Sequence, residues 1–212
     1  MNIEYVSFTF PFLGLMAAIF ATINFKKYVR SNERYFLFFL WFTFIMDATG
    51  VIRLQVFSLE SKLLYSIFTM TGFLFYFYWY YIILKSKIFK RVVSLSAALF
   101  IFISLIIYIF PEFKGQGYAF VTASICLLVL TFFHFYQLLT GDEVLIVKHK
   151  LSFWISTALL LFYIGILPLM LLAEYIEING MNYTIILLSL NVILYGCYII
   201  GFIWTKKKYN RF

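Results

Sequence analysis

Charge is scarce in this sequence: Asp, Glu, Lys and Arg together make 12% of the 212 residues, and only nine residues are acidic. Soluble domains carry roughly a quarter of their residues as charges. A chain that is 64% apolar, with a mean hydropathy of +0.96, cannot have water as its main solvent. A soluble core of this length has no room for so much Phe, Leu and Ile, so the outer surface must face lipid. Cysteine is nearly absent. Cys126 and Cys197 lie in apolar runs with no C-x-x-C pair, which excludes a disulfide framework and a cysteine zinc site and leaves them as small packing residues. Histidine is as rare, with His134 and His149 alone, too few to build a metal site on imidazoles. No metal and no cofactor is expected. Nucleic acid is not expected as a partner either, because the net charge of +8 is spread over short segments and such binding needs a folded basic domain.

What is present is a series of long apolar runs. In lipid a backbone must satisfy its own hydrogen bonds, and a helix needs about 20 mainly apolar residues to cross. Seven stretches qualify, over residues 5–25, 35–52, 63–84, 92–110, 116–140, 151–173 and 182–205. Between them lie segments with turn and breaker residues, "SNER", "FPEFKGQG", "TGDE" and "EINGMN". None is long enough for a second domain. Short alternating strands, the mark of a β-barrel, are missing. The expected fold is all-α, one polytopic domain of seven transmembrane helices over residues 1–212.

The basic residues orient it. All of the seventeen except Arg53, Lys62 and Lys114 fall in alternate segments: Lys26 to Arg34, Lys85 to Arg91, Lys148 to Lys150, and Lys206 to Arg211. The other side holds Glu4, Glu60, Glu112, Glu174 and Glu177. By the positive-inside rule the N-terminus is outside and the C-terminus cytoplasmic, with the basic segments against the anionic lipids of the cytoplasmic leaflet. The first span does not read as a cleaved signal, since Glu4 precedes it and "KKYVR" follows it. The expected location is the cytoplasmic membrane, with membrane lipids as neighbours.

Against this background Asp47, in "FIMDATGVIR", stands out. It lies twelve residues into the second span, about 18 Å from the cytoplasmic end. A carboxylate at that depth costs a few kcal/mol unless it is protonated, paired or facing a wet cavity. It should point into the bundle, on the face that Thr43 and Gly50 make less apolar. Two roles are open to it: a ligand or proton site, or a structural anchor hydrogen-bonded to a neighbouring helix. Asn191, near mid-depth in the seventh span, has the same two readings, with polar glue between helices the plainer one. His134, toward the cytoplasmic end of the fifth span, reads as a packed or interfacial histidine whose side chain should not meet Asp47. In "FLFYFYWYYIILKSK" Tyr76 and Tyr80 share one helix face and Tyr78 and Tyr81 another, and the run ends in an interfacial aromatic belt. Pro168, in "YIGILPLMLL", removes the partner of the Ile164 carbonyl and marks a bend or hinge, with Tyr163 near its lip.

Known families narrow the reading. The outline resembles that of the microbial rhodopsins, but "YTIILLSLNVILYGCYIIGFIW" lacks the lysine that would carry retinal. A three-one-three arrangement would resemble sugar transporters built from parallel repeats, without their Pro-Gln pair or proline pattern. Ceramidase-like membrane hydrolases need several histidines and acids. In length, and in the cadence "YVSFTFPFLGLMAAIF" followed by a basic loop and an aromatic second span, the chain resembles small seven-helix integral membrane proteins of AT-rich bacteria. That resemblance implies a fold and no activity. The leading expectation is a non-enzymatic sensor or receptor-like module. A small ligand or lipid would enter an outward-facing cavity near Asp47, Tyr163 and Asn191, Pro168 would relay occupancy, and a cytoplasmic or membrane signalling partner would take the output. The alternative is a small-solute or proton-coupled transporter; a lipid-modifying enzyme would need His134 or a serine beside Asp47.

Overall fold

The computed structural model describes residues 8–55, 57, 62–110, 116–141, 144–172 and 181–210. Each apolar run is a helix: α1 (Thr9–Ile23), α2 (Arg34–Gln55), α3 (Lys62–Ile83), α4 (Lys87–Ile109), α5 (Gln116–Thr140), α6 (Leu151–Leu171) and α7 (Met181–Trp204). No strand occurs among the described residues. Six of the seven are long and apolar enough to cross a membrane, so the protein is an all-α, polytopic membrane protein. The first, described over 15 residues, rises about 22 Å; residues 5–7 of its expected span lie outside the described chain. So do Glu4, Glu60, Glu112, Lys114, Glu174 and Glu177, the charges expected at the end opposite the cations.

Helix ends differ from the apolar limits where charge is involved. α4 starts at Lys87, five residues before its expected span, and takes in Lys90 and Arg91. α2 runs on past Arg53 to Gln55. Apolar length measures how much helix lipid can hold, whereas long cationic side chains let a helix continue into the headgroups. The segment between α5 and α6 also contains a 3₁₀ turn over Val144–His149 that the loop reading did not contain.

α1, α2, α3, α5, α6 and α7 close a ring in which each touches the next, and α4 packs outside it on α3 and α5. The burial pattern follows. α4 buries a single stripe, Val93, Ser96 and Phe100, and turns Leu95, Leu99, Phe102 and Leu105 outward. In lipid, helices associate by close packing rather than by expelling water, which favours small residues at contacts. Gly14, Ala17, Ala18 and Ala21 of α1 are buried. Gly165 and Gly201 bring α6 and α7 together: a Cβ on the first would overlap Leu190, and one on the second would lie 2.6 Å from Trp154. The ring's centre is aromatic, with Phe39 stacked on Phe75 at 4.1 Å and Phe36 edge-on to Tyr198 at 4.9 Å.

The basic segments share one end of the bundle. Lys27 Nζ donates to the carbonyls of Phe202 (3.3 Å) and Ile203 (2.9 Å), a cation on the exposed carbonyls of a helix C-terminus. Gln137, near the end of α5, caps the end of α3: its amide nitrogen donates to the Ile83 carbonyl and its oxygen accepts from the Lys85 N–H. Behind α7 the chain folds back onto the start of α6, where Asn210 donates to the Thr205 hydroxyl at 2.6 Å and to the Lys206 and His149 carbonyls.

Candidate functional site

A cavity of about 440 Å³ lies inside the ring, in the half away from the basic end. Helical periodicity decides what faces it. α2 contributes Leu40, Thr43, Asp47 and Leu54; α3 contributes Tyr65, Thr69, Gly72 and Tyr76; α7 contributes Leu187, Asn191, Tyr195 and Tyr198. Each set steps by three, four or seven residues and so occupies one helix face. Tyr163 from α6, with Phe10 and Phe120 near the starts of α1 and α5, also lines it. The half-exposed side chains of Leu54 and Tyr65 stand at its rim.

The cavity thus brings together Asp47, Tyr163 and Asn191, three residues that the sequence singled out separately. Among the described residues Asp47 makes no ion pair and no hydrogen bond to another helix, and the hydroxyl-bearing rings of Tyr65 and Tyr195 lie within electrostatic reach of it. That leaves the anchor role without a clasp and the carboxylate in a largely apolar chamber. Asn191 donates to the Leu187 carbonyl one turn back, at 2.8 Å. This bond stays within α7, so it is not the inter-helix glue expected of Asn191. Tyr163 is buried and packs its ring 5.8 Å from that of Phe73.

Pro168 is elsewhere. It lies in the last turn of α6, which continues through it to Leu171, and its carbonyl accepts from the Leu172 N–H at 2.9 Å. It does not line the cavity.

Beneath the chamber the polar groups continue. The hydroxyls of Tyr76 and Tyr198 are 3.2 Å apart. One turn further along α3, Tyr80 reaches Thr131 (2.7 Å) and Ser156 (3.2 Å), and Ser156 reaches His134 Nδ1 at 2.7 Å. Counting hydrogens fixes the directions. Thr131 spends its own on the Leu127 carbonyl, so Tyr80 donates to Thr131, Ser156 donates to Tyr80, and His134 must donate from Nδ1. Tyr76 and Tyr80 face inward while Tyr78 and Tyr81 face out, and Lys90 Nζ sits 5.3 Å over the Tyr81 ring. His134 is buried between α3, α5 and α6 and does not line the cavity with Asp47. Among the described residues, no three His, Cys, Asp or Glu side chains are grouped closely enough to hold a metal ion.

Sequence reasoning missed Tyr65, Gly72, Tyr195 and Tyr198. Asn191, Tyr195 and Tyr198 are spaced as one helix face, so the signal for the last two was present. Gly72 gave none, since only the fold shows that a Cβ there would meet nothing within 4 Å. Compared with protein-family models, curated proteins and solved structures, the chain finds no match in any of the three.

Proposed function

We propose that this multi-pass membrane protein is a non-enzymatic binding module that takes a small ligand or lipid into the chamber around Asp47, Tyr163 and Asn191, and acts as a sensor or receptor through a signalling partner. The observation that carries the reading is the juxtaposition itself: one carboxylate, one amide and a ring of tyrosines around about 440 Å³ of space, in a chain whose seven α-helices hold no acid other than Asp47. Concave, mostly apolar spaces with a few convergent polar groups are what small-molecule sites look like. In this reading the N-terminus is outside, the C-terminus is cytoplasmic, the membrane is the cytoplasmic one, and the chamber opens outward. The sharing of one end by the basic segments supports that orientation. A lipid-modifying enzyme fits less well, because His134 is turned onto Ser156 rather than toward Asp47.

The test uses Gly72→Phe, whose Cβ meets nothing within 4 Å and whose ring would take up space in the chamber. Protein purified in mild detergent is extracted and its bound small molecules are identified by mass spectrometry. A compound enriched on the wild type and absent from a folded Gly72→Phe is expected; identical extracts would sink the reading. A reporter fused after Trp204 should be active only in the cytoplasm.

One observation favours a second reading, a proton-coupled transporter. The hydroxyl chain through Tyr80 and Ser156 to His134 carries polar groups from below the chamber toward the basic end. Solute flux into proteoliposomes that responds to a pH gradient and is lost in Asp47→Asn would put transport ahead.

A further inference from the structure

The chamber's lining is one-sided in charge. Among the described residues that line it, Asp47 is the only ionisable acid or base apart from the tyrosines, with no lysine, arginine or histidine. Arg53, six residues along the same helix, is not part of the wall. The hydrogen-bond donors are also partly spent. Thr43 gives its hydrogen to the Leu40 carbonyl, Asn191 gives one to Leu187, and Tyr76 and Tyr198 bond to each other. An anionic ligand would therefore meet a carboxylate and few donors, in a medium where an unpaired charge is expensive. A cation would meet the opposite: a carboxylate with no counter-charge among the described residues that line the chamber, and aromatic faces whose quadrupoles attract positive charge.

Resting on the chamber reading above, we propose that its ligand is an organic cation, a substituted ammonium with an apolar or aryl tail. Its charge faces Asp47, and its alkyl groups lie among rings such as Tyr65, Tyr76 and Tyr195. The space suits one: it is roughly three times the ~150 Å³ that accommodates benzene, enough for an aryl ring, a short linker and a trimethylammonium head. Pairing Asp47 with the ligand offsets the cost of keeping a carboxylate at this depth.

The experiment compares 4-phenylbutyltrimethylammonium with its neutral tert-butyl isostere. Binding is measured at equilibrium to protein in zwitterionic nanodiscs, with empty discs subtracted. The cation should bind the wild type at least about tenfold tighter than the isostere. Asp47→Asn should bring the two within about twofold, and Asp47→Glu should keep the preference. Tyr65→Leu, at the rim, should weaken the cation more than the isostere. Gly72→Phe should abolish both. Equal affinities in the wild type, both lost in Gly72→Phe, would overturn the cation and leave the chamber standing. A cation preference that survives Asp47→Asn would overturn it too. Binding of neither probe would overturn the cation, and binding indifferent to Gly72→Phe would overturn both readings. Should Asp47→Asn fail to fold, a Tyr65→Leu protein that holds the two probes with unchanged relative affinity would still refute the proposal.

Discussion

Asn210 and Leu151, 59 residues apart, are joined by a 3.0 Å bond from the Leu151 backbone N–H to the Asn210 side-chain oxygen. The first N–H groups of a helix have no partner within it. Here the chain after α7 returns to supply one, and the same amide satisfies Thr205 and two carbonyls. Asn210→Ala leaves a buried N–H bare and should cost about 1–3 kcal/mol, seen as a lower melting temperature in detergent. Asn210→Asp keeps the acceptor for Leu151 and loses the donated bonds, so it should fall between. A melting temperature unchanged by the alanine would mean that the tail does not hold α6.

The hydrogen count around Ser156 predicts an Nδ1-protonated His134. Nitrogen-15 NMR of histidine-labelled protein, with His149→Gln to leave a single signal, should show a protonated Nδ1. Ser156→Ala removes the hydroxyl that joins His134 to Tyr80 and should destabilise by about 1–3 kcal/mol. Tyr80→Phe should shift the histidine signal less, because Ser156 remains beside it. A bare Nδ1 in the wild type would mean that the serine donates to the histidine and that the chain runs the other way.

Part of this was legible in the sequence. Asp47 could be read because one acid in a long apolar run has no cheap place except inside. Asn191 could be read for the same kind of reason, a polar atom at mid-depth, and Tyr163 only through its place near the Pro168 bend. That all three line one chamber depends on how α2, α6 and α7 close the ring, which no single helix reveals. That Tyr76 and Tyr80 share a face follows from helical spacing; that theirs is the inward one is seen only in the packed bundle. Gly72 and Gly165 are alike as letters; one borders a void and the other a leucine, and only tertiary packing distinguishes them. Asn210 and Glu33 sit in polar segments outside the apolar runs, where nothing in the sequence signals burial, yet both are buried. The extra turn at the start of α4 was unreadable from hydropathy because its cations favour the headgroup layer.

Glu33 gives the basic end a pH dependence. Burial pushes its carboxyl up, against smaller downward pulls from the Ser31 hydroxyl, its own backbone N–H and the Lys150 charge. A carboxyl raised in the folded state supports folding most when protonated. Its contribution is complete below the unfolded value of about 4.3 and is lost as pH rises through the folded value. Glu33→Gln should therefore melt higher than the wild type at pH 8, with the gap closing toward pH 4. Lys150→Met removes one downward pull and should carry the wild-type decline on to higher pH. A Gln-to-wild-type difference independent of pH would show that the carboxyl is not held in its raised state.

The two glycines facing α7 and the chamber make the sharpest contrast. Gly165 of α6 lies directly under Leu190, and any Cβ there must push the leucine or separate the helices. Overpacking of this kind costs about 1–3 kcal/mol, so Gly165→Ala should lower the melting temperature. In an exposed helix the same change would raise it, because alanine is the better helix former by about 1 kcal/mol. Gly72→Ala meets open space and should keep that helix gain. Opposite shifts in melting temperature for one chemical change at two sites would establish that the chamber is empty volume between packed helices. If both substitutions stabilise, α6 and α7 are not in contact at Gly165; if both destabilise, the space beside Gly72 is already filled by protein.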